Sequence, residues 1–147
     1  MINLEEEKAK FKFKIKVNVR WSDQDEMRHV NNAVYLTYFE ESRIHYFHQA
    51  CKWDWNEIGA ILANVNINYL KPVVFGNETF VYIRTSKLGT KSFEVQYLIT
   101  SIVNEVEELT TTGSSTMVVF DYKTNKSAVM PEHLRAQIME FEPGLNN

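Results

Sequence analysis

The chain has 147 residues, 44% hydrophobic and 24% charged, which is the composition of one soluble globular domain with enough apolar material for a core. Its 16 basic and 19 acidic side chains leave a formal charge of -3, so no global basic field draws in nucleic acid, and no run approaches the roughly 20 apolar residues of a membrane helix. Cys51 is the one cysteine, which excludes an intrachain disulfide and a Cys-rich zinc site and suits a small apolar filler near a helix end.

The first residues, Met-Ile-Asn-Leu-Glu-Glu-Glu, lack the basic start and apolar stretch of a secretory signal, so the expected compartment is the cytoplasm. From Phe11 to Trp21 apolar and polar residues alternate. Phe11, Phe13, Ile15, Val17, Val19 and Trp21 form one face, and Lys12, Lys14, Lys16, Asn18 and Arg20 the other. Side chains alternate faces along a strand, so this predicts a strand with one buried and one cationic, wet face. Residues 22 to 30 are mostly polar and break the pattern.

From Asn31 to about Ala50 there is no glycine or proline, and Val34, Tyr35, Leu36, Tyr38, Phe39, Ile44, Tyr46 and Phe47 recur at helical spacing. This predicts a helix of about five turns with a broad apolar face. Asn31 or Asn32 suits its N-cap, because an amide oxygen can accept from the free N–H groups of the first turn. Trp53 and Trp55, just beyond the helix, either cover a pocket or anchor the connection.

Strand signals then return. Val65, Ile67 and Tyr69 alternate with Asn64, Asn66 and Asn68 until Lys71-Pro72 ends the run. A turn at 75–78 precedes a strand from Thr79 to Leu88, and Gly89 turns the chain into another from Ser92 to Val103. An acidic connection at 104–108 leads to a last strand from Leu109 to Tyr122, and the tail after Met130-Pro131 holds a short helix through Leu134 and Ile138.

Short connections make neighbouring strands antiparallel. A lone central helix can hide its apolar face only against the concave side of such a sheet. The expected class is α+β, one domain over residues 1–147, with a curved antiparallel sheet of about five strands around one long helix. Such a sheet leaves an edge, and pairing across it predicts at least a homodimer.

The informative stretch is WSDQDEMRHVNNAVYLTYFEE, residues 21–41. It sets Asp23 and Asp25 in the loop before the helix, and His29, Asn31 and Asn32 at the helix start. A helix N-terminus offers unpaired N–H groups and about half a positive charge, which favours developing negative charge on an oxygen. A carboxylate facing those donors could attack a carbonyl or activate water. Two loop aspartates alone do not establish this, since Asp is common in turns.

The pattern Asp23-x-Asp25-x-Met27-x-His29-Val30-Asn31-Asn32-x-x-Tyr35, followed by an aromatic helix carrying Glu40-Glu41-x-Arg43, resembles the 4-hydroxybenzoyl-CoA thioesterase family of hot-dog-fold proteins. The segment from Asn68 through Lys71-Pro72 to Gly76-Asn77 is similar to that family's third-strand region. Lys87 to Phe93 is similar to its hairpin, and Met130-Pro131-Glu132 to its closing helix.

The resemblance implies a hot-dog fold and hydrolysis of an acyl-coenzyme A thioester to free acid and CoA. Asp25 would be nucleophile or general base, and the Asn32 backbone N–H would polarise the carbonyl. His29, Asn31, Tyr35, Lys91 and Ser92 are the expected substrate-binding residues, with Lys91 and Ser92 toward the CoA phosphates. Asp23 is expected to brace the loop.

His29 has two readings, a proton shuttle and a structural histidine bonded to the loop backbone. His45 and His48, three apart on the helix, find no third ligand, and His133 lies in the tail, so no metal is expected. No cofactor is expected beyond the CoA of the substrate. The partners are an acyl-CoA and a second copy of the chain, as homodimer or homotetramer, with neither nucleic acid nor membrane.

Relatives usually have Gly where this chain has Arg28, so the loop either takes another path or carries a cation at the mouth of the site. Two other readings stay open. One is a non-catalytic hot-dog domain that binds acyl-CoA or an acyl carrier, and the other an enoyl-CoA hydratase or dehydratase pairing Asp25 with His29.

Overall fold

In the computed structural model, which describes residues 1–145, the elements run α1 (Leu4–Lys8), β1 (Phe13–Val17), a 3-10 turn (Trp21–Asp23), α2 (Val34–Cys51) and β2 (Gly59–Tyr69). They continue as β3 (Thr79–Leu88), β4 (Ser92–Val103), β5 (Val106–Asp121), β6 (Lys126–Ser127) and α3 (Glu132–Phe141). The sheet is antiparallel throughout in the order β1-β3-β4-β5-β2, with the two-residue β6 added to β5. This is the expected hot-dog arrangement. Register shifts at Leu62/Asn64, Thr85/Lys87 and Ile99/Thr100 sharpen the local twist, which helps the sheet curl around α2.

Helix α2 turns Tyr35, Tyr38, Phe39, Ser42, Tyr46, Phe47 and Cys51 inward. Phe39 stacks on Tyr97 of β4 with centroids 4.0 Å apart, and Phe47 meets Phe93 edge-on at 5.4 Å. The helix comes so close to β5 that a Cβ on Gly113 would stand 2.8 Å from the Phe39 ring, so only glycine fits there. Burial pushes the Cys51 thiol up to about 12, against a smaller pull from the Trp53 backbone. That is the filler expected of it.

Helix α3 packs on the end of α2 through Leu134 and Ile138, as the tail pattern predicted. Trp53 is an anchor, its indole N–H donating to the Ile58 carbonyl at 2.9 Å. Trp55 stacks on it and stays partly exposed.

Several sequence expectations need correction. Strand β1 ends at Val17, so Trp21 does not continue its buried face and is 72% exposed. The cause is the following turn, where Asp23 bonds back to Arg20 and diverts the chain. Helix α2 begins at Val34 with Ala33 as its N-cap, because Asn31 is used one step earlier, accepting from the Ala33 N–H at 2.9 Å.

Strand β2 starts at Gly59, well before Val65. The acidic connection shrinks to Asn104-Glu105, both with positive φ, and β5 starts at Val106. That backbone suits a tight two-residue hairpin. Helix α1 was not foreseen. Asn3 caps it, and Lys8 reaches Glu107 at 2.6 Å to hold it against the outer face of the sheet.

Candidate active site

Asp23 is the buried pillar of the loop that follows β1. Only 2% exposed, it accepts from the Arg20 N–H at 2.9 Å, the Arg20 Nε at 3.0 Å and the Tyr38 hydroxyl at 2.8 Å. Burial raises its pKa, but these donors together outweigh it and hold the carboxyl below the ordinary aspartate value. Its backbone carbonyl accepts from the Asn31 N–H at 2.8 Å. One residue thus ties the segment after β1, the loop and α2 together.

Asp25 opens the next turn. Its N–H donates to the His29 carbonyl at 2.7 Å, and its carbonyl accepts from the Arg28 N–H at 3.0 Å. Its Oδ1 accepts from the N–H groups of Met27 at 2.9 Å and His29 at 3.1 Å. Gln24 and Val30 bridge across the base, and the Val30 N–H donates to the Val73 carbonyl at 2.8 Å. Oδ1 is therefore spent on the loop, whereas Oδ2 has no hydrogen bond among the described residues. One oxygen positions the carboxylate and leaves the other available.

Arg28 closes the turn with φ 64. A residue with positive φ at this point of a hairpin is usually glycine. The loop thus keeps the path that a glycine would allow and carries the cation as well.

Asp25, His29, Asn32 and Tyr35 line one cleft of about 300 Å³, closed on the other side by Tyr69, Leu70, Lys71 and Pro72. Tyr35 and Tyr69 meet edge-on at 4.9 Å, and the Tyr69 hydroxyl donates to the Asn32 carbonyl at 3.0 Å. The Tyr35 hydroxyl accepts from the Val73 N–H at 3.3 Å. The Asn32 N–H has no hydrogen-bond partner among the described residues, and α2 begins two residues later. An unpaired donor and an unpaired carboxylate oxygen therefore belong to residues lining the same cleft.

The remaining expected site residues stand elsewhere. Asn31 has its Oδ1 committed to Ala33 and does not line the cleft. It is the backbone of His29 that closes the loop, while the residue itself borders the cleft.

Lys91 in the turn after β3 and Ser92 at the start of β4 lie at the far end of the sheet. Val17 of β1 pairs with Thr79, the first residue of β3, whereas Gly89 follows its last. Ten strand residues separate the two ends, which is roughly 30 Å. Ser92 lines a small pocket there with Lys87, Gly89 and Glu94.

Sequence reading missed Tyr69 and Leu70 as cleft walls. The alternation marks Tyr69 as one more strand residue, and its place just before Lys71-Pro72, where the strand ends, is what the sequence offers to find it. It also missed a second opening of about 750 Å³ on another side of Asp25, lined by Trp21, Gln24, Arg28, Val74 and Phe75.

Comparison with known proteins agrees with this architecture. The profile of the Thioesterase-like superfamily matches residues 19–138. Long-chain acyl-CoA thioesterase FadM of Escherichia coli K12 is 28% identical over 126 residues, covering 84% of this chain and 94% of that protein. A thioesterase of Thermus thermophilus, solved with coenzyme A and zinc, superposes with TM-score 0.79 at 34% identity, covering 91% of this chain and 96% of that one. YbaW, a probable thioesterase of Escherichia coli, superposes with TM-score 0.73 at 26% identity, covering 90% and 98%. With its curled antiparallel sheet, its single central helix and a family match running from the end of β1 to α3, the chain belongs to the Thioesterase-like superfamily of hot-dog-fold proteins.

Proposed function

We propose that the chain hydrolyses acyl-coenzyme A thioesters, with Asp25 as nucleophile or general base and the Asn32 N–H as the donor to the carbonyl oxygen. The observation that carries this is the pairing of Asp25 Oδ2 and the Asn32 N–H, both without partners among the described residues, in residues of one cleft. The names of two relatives, an acyl-CoA thioesterase and a thioesterase solved with coenzyme A, support the substrate class.

In this reading the thioester carbonyl points its oxygen at the Asn32 N–H and the start of α2. Negative charge developing there meets a fixed donor and the positive end of an 18-residue helix. Asp25 Oδ2 either attacks the carbonyl carbon or takes a proton from the water that does. The C–S bond breaks, the CoA thiolate leaves and is protonated, and one water is consumed overall. Direct attack passes through an anhydride, and water opening it at the Asp25 carboxyl carbon would place solvent oxygen in Asp25 after one turnover and send the original Asp25 oxygen out in the acid. Base-assisted attack would not.

The free edge of β2 supports self-association. Ile61, Leu62 and Tyr69 are exposed along it, with Leu36 and Ile44 of α2. Antiparallel pairing of two β2 edges sets the partner's Ile61 end beside this chain's Tyr69 end. Ser92 pairs with Val118, which pairs with Ile61, so the partner's Lys91 and Ser92 come to the end of the sheet that carries Asp25. The CoA contacts missing within one chain would then come from the second copy.

The test is thiol release from short, long and aromatic acyl-CoAs, followed with a thiol-reactive dye. Asp25→Asn should lower kcat by about 10²-fold or more with the fold intact. Full activity in that variant would exclude Asp25, and tight acyl-CoA binding without thiol release would favour the non-catalytic reading.

A further inference from the structure

Asp25 borders two openings, and the second is the larger. Its walls are Trp21, Val74 and Phe75, with Arg28 and Gln24 as polar members and Asp25 at one side. Trp21 and Phe75 are 72% and 45% exposed, so apolar surface faces water here in the single chain. Along α2, by contrast, Tyr38 and Phe39 are buried, and Phe39 stacks directly on Tyr97 of the sheet.

Arg28 makes no ion pair among the described residues, and its backbone sits at φ 64. A non-glycine residue in that region costs about 1 kcal/mol, so the site holds a long cation where glycine would fit without strain.

We propose, resting on the thioesterase reading, that Arg28 is a specificity-determining residue that selects acyl groups ending in a carboxylate. The carbon body of the acyl group lies between Trp21 and Phe75, and its terminal carboxylate meets the Arg28 guanidinium. The phosphates of coenzyme A do not explain the residue. Arg28 is hydrogen-bonded through its backbone to Asp25 and shares a cleft with it, whereas those phosphates stand an extended pantetheine arm from the thioester. The first cleft, walled by Tyr69 of β2 and by Lys71, is left for that arm. A guanidinium holds a carboxylate with paired, charge-assisted hydrogen bonds, and flat aromatic walls suit a short aliphatic or aryl body.

The test compares glutaryl-CoA with pentanoyl-CoA, which have the same number of acyl carbons. The wild-type enzyme should favour glutaryl-CoA in kcat/KM, and Arg28→Gly should lower the ratio of the two by about tenfold or more, mainly through KM. Arg28→Lys should keep part of the preference. Glycine accepts φ 64, so the Gly variant keeps the loop path.

An equal loss on both substrates would assign Arg28 to coenzyme A instead, and an unchanged ratio would remove it from recognition; either overturns the proposal. If the wild-type protein hydrolyses neither thioester, calorimetric binding of the hydrolysis-resistant thioether analogues still decides. Weaker binding of the glutaryl analogue alone in Arg28→Gly upholds the role of Arg28, while the same affinities in both proteins overturn it.

Discussion

The hydroxyl of Tyr38, in the second turn of α2, donates to the buried carboxylate of Asp23 at 2.8 Å and so fixes the Asp25 loop to the central helix. The same carboxylate takes three contacts from Arg20, so the loop is held from both its ends. Asp23 and Asp25 thus divide the work. One is buried and bonded at every turn, and the other is exposed with an oxygen left over.

Removing either member of this pair should loosen the loop. Tyr38→Phe should cost about 1 kcal/mol in urea unfolding, and Asp23→Asn about 1–3 kcal/mol, because it sets an amide N–H₂ against the Arg20 donors. The Asp23 pKa is lowered on folding, so its contribution is complete above the ordinary aspartate value and is lost as pH falls through the folded one. The stability gap between wild type and Asp23→Asn should therefore close in acid. A gap independent of pH would mean that the Asp23 charge contributes nothing.

Glu142 should behave in the opposite sense. Its carboxylate accepts from the Tyr46 hydroxyl at 2.6 Å and the Thr85 N–H at 3.2 Å, yet burial outweighs those bonds and raises its pKa. The folded state then holds the proton more tightly than the unfolded chain. Stability is greatest below the ordinary glutamate value and declines as pH rises through the folded one. Glu142→Gln, which keeps an acceptor and removes the titration, should gain on wild type by on the order of 1 kcal/mol as pH rises from about 4 to about 8. Parallel melting-temperature curves for the two proteins would refute this.

Much of the fold follows directly from pattern. The alternation in 79–88 and 92–103 becomes β3 and β4 with the same bounds, and the crowded apolar run after Asn31 becomes α2. What escaped depends on distant or very local bonds. Helix α1 has only five residues, too few for periodicity, and is held by Glu107 almost a hundred positions away. Trp21 reads as a strand residue until the Arg20–Asp23 bonds turn the chain beneath it. The family pattern singled out Asp25, but the Tyr38 contact of Asp23 and the Tyr69 wall arise only when loop, helix and β2 pack together.

The proposed sharing of the site between two copies makes a sharp prediction for mixed dimers. Asp25→Asn should be inactive alone, and Lys91→Glu should lose about tenfold in kcat/KM. Coexpressed chains pair at random, so half of the dimers are mixed, and each mixed dimer holds one site with both residues intact. Activity should return to about a quarter of wild type. Activity of only about a twentieth of wild type, which is half of the chains working at the Lys91→Glu rate, would place the whole site in one chain, as would a solution mass of 17.3 kDa at micromolar concentration.

Strand β5 has a consequence for how the protein is made. It pairs with both β4 and β2, and β2 has no other partner among the described residues. Tyr69 and Val73, which hold Asn32 and Val30 in place, take their positions from β2 and the segment just after it. A ribosome delivers the Asp25 loop ahead of both strands, and among the described residues β2 has no strand to join until Val106–Asp121 has emerged. The earliest functional segment to be synthesised is among the last to be set, and chains truncated before β5 should leave the amides of Asp25 and Val30 open to hydrogen exchange.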